Sequence, residues 1–269
     1  AVAELDEPLR DVRERIDRAS RVCVLSGAGM SAESGIATFR DALTGLWSRF
    51  DPAQLASVEG FRADPPLVWD WYAERREGVR CAQPNAGHLA LGAFVRRRPG
   101  VLTVVTQNVD DLHQRAGNRD AIRLHGDILR DQWLDGCGRG RVCEVGQAAP
   151  GRPPRCAECG NLVRPGVVWF GEMLPAGAMD AAERAARTSE VMLVVGTSGA
   201  VWPAAGLAAK ARRSGAFVAI VNPHASEIDA EAHVLLPGTR FRFDHVAHQQ
   251  ADVQRAQPAH ADAAVLQFA

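Results

Sequence analysis

Five short runs of apolar, largely β-branched residues constrain the fold more than any other feature of the chain. They are RVCVLS (21–26), VLTVVT (101–106), AIRLH (121–125), VMLVVG (191–196) and FVAIVN (217–222). Their apolar character is nearly continuous, which suits parallel strands covered on both faces. Between them lie stretches of helical periodicity around Pro66–Val79, Ala86–Arg97, Asp180–Thr188 and Ala204–Arg213. A further helix precedes the first run, over Leu5–Ala19, with Leu9, Val12 and Ile16 on one face. The alternation predicts an α/β fold, a Rossmann-like doubly wound parallel sheet.

Two insertions interrupt the alternation. Residues 41–83 look helical and carry Trp47, Trp69, Trp71 and Tyr72, the last being the single tyrosine of the chain. Residues 131–164 are rich in Gly, Pro and Cys and show no periodicity. A structureless stretch of that length is out of place inside a compact domain, and a bound metal would account for it. The expectation is one domain over 1–269. Its Rossmann-like part takes 1–40, 84–130 and 165–240, and the insertions at 41–83 and 131–164 form a small helical and metal-binding domain. The tail, 241–269, is assigned no role.

Composition narrows the classes of function. With 46% hydrophobic and 23% charged residues, the chain has the make-up of an ordinary globular protein. A formal net charge of −1 gives no general field for nucleic acid. No apolar run reaches the roughly 20 residues that span a bilayer. The first 20 residues mix both charge signs without the apolar core of a secretion signal. A cytoplasmic monomer is therefore expected, without nucleic-acid or membrane partners, and its six cysteines read as metal ligands or buried thiols.

Nearly every strand run ends in glycine or polar residues. Gly27-Ala28-Gly29 follow the first, Gln107-Asn108-Val109-Asp110 the second and His125-Gly126 the third. Gly196-Thr197-Ser198 follow the fourth, and Asn222 closes the fifth. Open parallel sheets bind ligands at the carboxyl ends of their strands, so five such termini describe a nucleotide site. Gly27 permits a tight turn, and Gly29 lets backbone amides approach a pyrophosphate at a helix start. Gly27-x-Gly29-x-x-Ala32 nominally meets the dinucleotide fingerprint, although a clear ribose-binding acid about 20 residues on is missing.

The stretch GAGMSAESGIATFR (27–40) is far more specific than its glycines. Together with TQNVDDLH (106–113), the LHG around His125, VVWFGE (167–172) and GTS (196–198), it resembles the motif series of the sirtuins, in the family's order. Met30 and Ala37 depart from it slightly. The resemblance implies NAD as co-substrate and acylated lysine side chains of proteins as partners. In that chemistry the acyl oxygen attacks C1′ of the nicotinamide ribose and nicotinamide leaves. A histidine base then activates a ribose hydroxyl, and water releases free lysine and O-acyl-ADP-ribose.

Carried over residue by residue, the resemblance makes His125 the general base, for which an ordinary imidazole pKa is well suited. Asn108 and Asp110 orient the nicotinamide ribose and carboxamide, although both also suit helix capping after a strand. Gln107 contacts the ribose. Ala28, Ser31, Ala32, Glu33 and Thr38 join Gly27 and Gly29 along the cofactor, with Gly196, Thr197, Ser198 and Asn222 on its adenosine half. Phe39 and Arg40 cover the reactive centre, where exclusion of water protects the intermediate. Val168, Trp169, Phe170, Gly171 and Glu172 pair with the substrate peptide as an added strand.

Cys137, Cys143, Cys156 and Cys159 form two pairs joined by 12 residues (144–155), a spacing that resembles a Cys₄ zinc ribbon. Four ligands leave no open position, so this zinc would be structural. Cys23 and Cys81 stand apart from it.

In WDWYAERREGVR (69–80), Tyr72 and Arg75 lie three residues apart, hence on one helix face. Tyr-x-x-Arg at this place resembles the sirtuin class that removes succinyl, malonyl or glutaryl groups. There the arginine pairs with the distal carboxylate and the tyrosine adds a hydrogen bond. Ala56 matches a small residue that leaves room for the chain. A guanidinium in an apolar pocket is well served by a bidentate carboxylate and badly by an acetyl methyl group. Some deacetylation is expected beside the main activity. Four other readings compete: a simple deacetylase, an NAD(P)-dependent dehydrogenase, mono-ADP-ribosyl transfer, and a non-catalytic NAD-binding adaptor.

Overall fold

The computed structural model describes residues 7–38, 49–136 and 143–237, together with the backbone of 241–243 and 265–267. Phe39, Arg40 and Cys137 lie outside the described residues. In chain order the elements are α1 (Glu7–Arg18), β1 (Val22–Ser26), α2 (Ala28–Ala32), α3 (Pro52–Leu55), α4 (Val58–Ala63) and α5 (Pro65–Cys81). Then come α6 (Ala86–Arg97), β2 (Leu102–Thr106), α7 (Leu112–Arg115), β3 (Ile122–Arg123), β4 (Gly126–Trp133) and β5 (Val163–Val167). The remainder is α8 (Ala176–Thr188), β6 (Val191–Val195), α9 (Gly206–Arg213), β7 (Phe217–Asn222), β8 (Val234–Pro237), β9 (Phe241–Phe243) and β10 (Val265–Gln267).

The main sheet has the order β3-β2-β1-β6-β7-β8, and every pair is parallel. This is the doubly wound arrangement in which strand order reverses beside the first strand, here between β1 and β6. Side chains alternate along each strand. Val22 and Val24 of β1, with Val104, Leu193 and Ala219, pack against Val12 and Ile16 of α1 and Leu91 and Phe94 of α6. Cys23 and Leu25, with Met192, Val194 and Ile220, pack against Ala182 and Ala186 of α8 and Leu207, Ala208 and Ala211 of α9. All of β1 is buried, as its continuous apolar run requires.

The structure adds five strands that the apolar runs did not announce, β4, β5, β8 and the short parallel pair β9 and β10. β8 is a short edge strand beside β7. β4 and β5 form a separate antiparallel pair, with a register irregularity between Asp127 and Asp131. The described part of the first insertion, 49–83, is largely helical, as its composition indicates, and packs onto the β4–β5 pair. Leu55, Ala56, Phe61, Trp71 and Tyr72 share one apolar cluster with Ile128, Val167 and Trp169. Arg76, itself buried, ties α5 to β4 by donating to Ile128 O at 2.6 Å and to Asp131 Oδ1 at 2.5 Å. No helix among the described residues is long and apolar enough to cross a membrane.

Candidate active site

The strand ends named from sequence stand side by side along one edge of the sheet. His125 follows β3, Gln107, Asn108 and Asp110 follow β2, and Gly27 with α2 follows β1. Gly196, Thr197 and Ser198 follow β6, and Asn222 ends β7. These five strands are consecutive neighbours, so the edge is continuous across the reversal point between β1 and β6.

The glycines at that point owe their identity to crowding. Gly27 has an extended backbone (φ −121°, ψ −176°), which any residue can adopt, so its role in a tight turn is corrected. A Cβ on Gly27 would lie 2.6 Å from Gly196 O, and one on Gly29 would lie 2.9 Å from Gly196 Cα. Gly196 alone of the three has a positive φ, +65°, and its own Cβ would meet Met30 N at 2.3 Å. Gly29 N donates to Gly196 O at 2.8 Å, stitching the two loops together.

Behind this seam lies a buried polar cluster. Ser31 Oγ donates to Asp110 Oδ2 at 2.8 Å and accepts from Asn108 Nδ2 at 3.0 Å. A hydroxyl has one proton, so these two bonds fix its orientation and hold the amide and the carboxylate in one relation. Asp110 Oδ1 also accepts from Leu112 N at 3.0 Å, so the capping role and the site position hold together. Asn108 Oδ1 is buried without a partner among the described residues. A buried acceptor left in that state suits a ligand donor.

His125 Nδ1 lies 2.9 Å from Gln107 O. A carbonyl only accepts, so Nδ1 carries the proton and Nε2 is left as the basic nitrogen. Burial lowers the pKa of His125, and the carbonyl bond opposes that shift. Gln107 Nε2 donates to Thr197 Oγ1 at 3.0 Å, and Asn222 Nδ2 to Thr197 O at 2.5 Å, joining three strand ends. Ala28, Ala32, Glu33 and Ser198 face solvent, and Thr38 is half-buried.

Several supporting residues carry little signal in a sequence pattern. His113 Nε2 lies 2.8 Å from Ser26 Oγ, which donates to Thr106 Oγ1, and Thr106 Oγ1 accepts from Asn108 N at 3.0 Å. His88 stands edge-on to His113, with ring centres 4.9 Å apart. Burial pushes His88 down to about 4 and His113 down to about 3, so both are neutral at ordinary pH. Arg123 donates to the carbonyls of Val109 and Asp110 at 2.9 and 2.7 Å and holds their loop. Histidines in LHQR and NAGH hint at the first pair, whereas nothing local marks Arg123.

The segment Val168–Glu172 adjoins both His125 and the helical insertion. Val168 N donates to His125 O, and Phe170 N to Ala56 O, each at 2.9 Å. Trp169 N donates to Glu172 Oε2 at 2.8 Å. With these three donors committed inside the protein, an added peptide would draw on carbonyls here. The Glu172 side chain is likewise engaged, accepting from Arg164 at 2.5 and 2.8 Å. On the facing helix α5, Tyr72 is buried and Arg75 is half-buried, its guanidinium 4.6 Å from the centre of the Trp71 ring. Burial lowers the pKa of Arg75, and Tyr72 opposes that shift.

In the second insertion the Sγ atoms of Cys143, Cys156 and Cys159 lie within 4.8 Å of one another. Thiolates on a tetrahedral zinc at about 2.3 Å stand about 3.8 Å apart, so these three fit one ion. Trp133 Nε1 anchors the loop by donating to Cys143 O at 2.6 Å. Cys23, by contrast, is buried in β1, where burial pushes its thiol up to about 12.

The Sir2 family profile matches residues 27–203, from the glycine seam through the β6 loop and beyond. The chain belongs to the Sir2 family. The sirtuin resemblance of its motifs is thereby borne out, and with it the doubly wound fold. A relative from Ralstonia nicotianae called "NAD-dependent protein deacylase" is 54% identical over 236 residues, covering 88% of this chain and 94% of its own. A solved Sir2 homologue in complex with NAD is 42% identical, with a TM-score of 0.74 over 85% of this Sir2-family chain and 88% of its own. A Sir2 protein bound to a propionylated peptide is 29% identical, with a TM-score of 0.71 over 85% and 92%.

Proposed function

We propose that this Sir2-family chain is an NAD-dependent protein-lysine deacylase whose pocket favours acidic acyl groups such as succinyl and malonyl. The observation that carries the reading is the strand-end cluster, in which Ser31 binds Asn108 and Asp110 while Gln107 O leaves Nε2 of His125 basic. The names of the relatives point the same way, since one is called an NAD-dependent deacylase and one solved homologue is a complex with NAD.

When bound, NAD supplies an electrophilic ribose carbon from which nicotinamide can depart. The protein's contributions follow from the geometry. Asn108 Oδ1 is available to a donor on the nicotinamide side, and Asp110, held by Ser31 and Leu112 N, sets the register of that half-site. Neutral His125 can take a proton from a ribose hydroxyl on Nε2. Gln107, Thr197 and Asn222 form a joined wall along the remaining strand ends. Phe39 and Arg40 lie outside the described residues and are carried here only by their place in the motif.

The acyl group would enter between α5 and Val168–Glu172. Tyr72 meets Trp169 there, and Val168 is one hydrogen bond from the backbone of the base. A guanidinium whose pKa is depressed by burial gains more from a carboxylate than from a methyl group. Cys143, Cys156 and Cys159, with Cys137 as fourth ligand, would hold one structural zinc. The same reading treats the chain as one catalytic unit with two inserted modules.

The test is turnover of succinyl-, malonyl-, glutaryl- and acetyl-lysine peptides with NAD, following nicotinamide and the acylated ADP-ribose product. Nicotinamide release with a small O-acyl product, and no absorbance change at 340 nm, is the expected result. A 340 nm change would favour hydride transfer, and label retained on protein would favour ADP-ribosyl transfer.

A further inference from the structure

One hydrogen bond in the pocket wall has no part in the reaction just described. Trp169 Nε1 donates to Tyr72 Oη at 2.9 Å, and the two side chains are only 2% and 3% exposed. An indole N–H only donates, so the phenol oxygen acts as acceptor in this bond and its own proton must leave in another direction. Burial pushes the Tyr72 pKa upward, which keeps that proton in place. A hydroxyl that accepts one hydrogen bond is polarised into a stronger donor of the next.

The indole is itself held from several sides. The Arg164 guanidinium, 2% exposed, lies 3.5 Å from the centre of the Trp169 ring. Arg164 is fixed in turn by both oxygens of Glu172 and by Val167 O at 2.7 Å. Glu172 also accepts the Trp169 amide, and Phe61 packs on the ring with centres 5.2 Å apart. The N–H therefore has a defined direction, and Tyr72 receives it.

We propose that Trp169 is a specificity-determining positioning residue, whose indole N–H fixes the Tyr72 oxygen as an acceptor so that the phenol proton is presented to an acidic acyl group beside Arg75. This rests on the acidic-acyl reading of the pocket. Without the N–H, the phenol can turn its proton toward other acceptors, and the acidic substrate loses an aligned donor. An acetyl substrate, which never reaches that donor, is not affected in the same way.

The experiment compares wild type, Trp169→Phe, Tyr72→Phe and the double variant on succinyl- and acetyl-lysine peptides of one sequence, with kcat and KM resolved. Trp169→Phe should lower the succinyl-to-acetyl ratio of kcat/KM by about 3- to 10-fold, mostly through KM for the succinyl peptide. It should lower the ratio no further once Tyr72→Phe is present. Equal losses on both peptides, or a loss that adds fully to that of Tyr72→Phe, would overturn the proposal. If Tyr72→Phe lowers the ratio and Trp169→Phe does not, the positioning role fails while the acidic-acyl reading survives. If Tyr72→Phe leaves the ratio unchanged, that reading fails and the proposal with it. Should Trp169→Phe not fold, benzothienylalanine at 169 keeps the ring outline with sulfur in place of the N–H. The same drop is then expected, and an unchanged ratio contradicts the proposal.

Discussion

The carboxyl edge of the sheet and the wall supplied by the helical insertion meet at Val168–Glu172, yet they are held by different forces. Along the edge, position comes from backbone crowding backed by polar links: Gly27, Gly29 and Gly196 press together at distances that exclude a Cβ, and side-chain amides and hydroxyls link the ends of β1, β2 and β6. The wall is built from side chains: Trp71, Tyr72 and Trp169 with Arg75 and Arg164 against them. Backbone seams tolerate almost no substitution, which suits groups that must hold reacting atoms in one geometry. Side-chain walls can be re-dressed without moving a strand, which suits the choice of acyl group.

If that division is right, the two regions fail separately. Replacing His125 with Ala removes the base at the edge and should lower kcat by about 10² to 10⁴-fold on every acyl peptide alike. Turnover assays across the acyl series check this, and full activity in the variant would break the assignment. Cys156→Ser should reduce zinc from about one ion per chain to nearly none and lower the melting midpoint. Metal analysis and thermal unfolding check that outcome. Zinc retained at the wild-type level would remove the cluster from the metal site.

A smaller effect concerns pH. His125 must be neutral to accept a proton, and burial lowers its pKa in the folded protein. Activity should therefore persist as pH falls through the ordinary imidazole value of about 6.5, and be lost only below it. A pH profile of kcat/KM measures the midpoint of that acid limb. A midpoint above 6.5 would mean that His125 is stabilised in its charged form.

The same contrast explains what could be read in advance. β1, β2, β6 and β7 announce themselves because they are largely buried on both faces and therefore nearly continuously apolar. β4 does not: GDILRDQW carries outward charges and a register irregularity, and so resembles a loop. β8 is four residues at an edge with alternating exposure. Asn108, Asp110 and His125 were legible because they sit beside strand ends, where the fold itself places ligands. The reason for the glycines was not, because a distance between Gly29 and Gly196 spans most of the chain. Arg164 and Trp169 are similar: VVWFGE looks apolar, and only the fold shows Glu172 turning back to bind Arg164.

The central claim is that the edge deacylates and the wall selects, and Arg75→Met tests it most directly. Succinyl- and acetyl-lysine peptides of one sequence, assayed with wild type and variant, give the ratio of kcat/KM for the two acyl groups. The account predicts that this ratio falls by roughly 10²-fold or more, with deacetylation retained. An unchanged ratio, or equal loss of both activities, would contradict it.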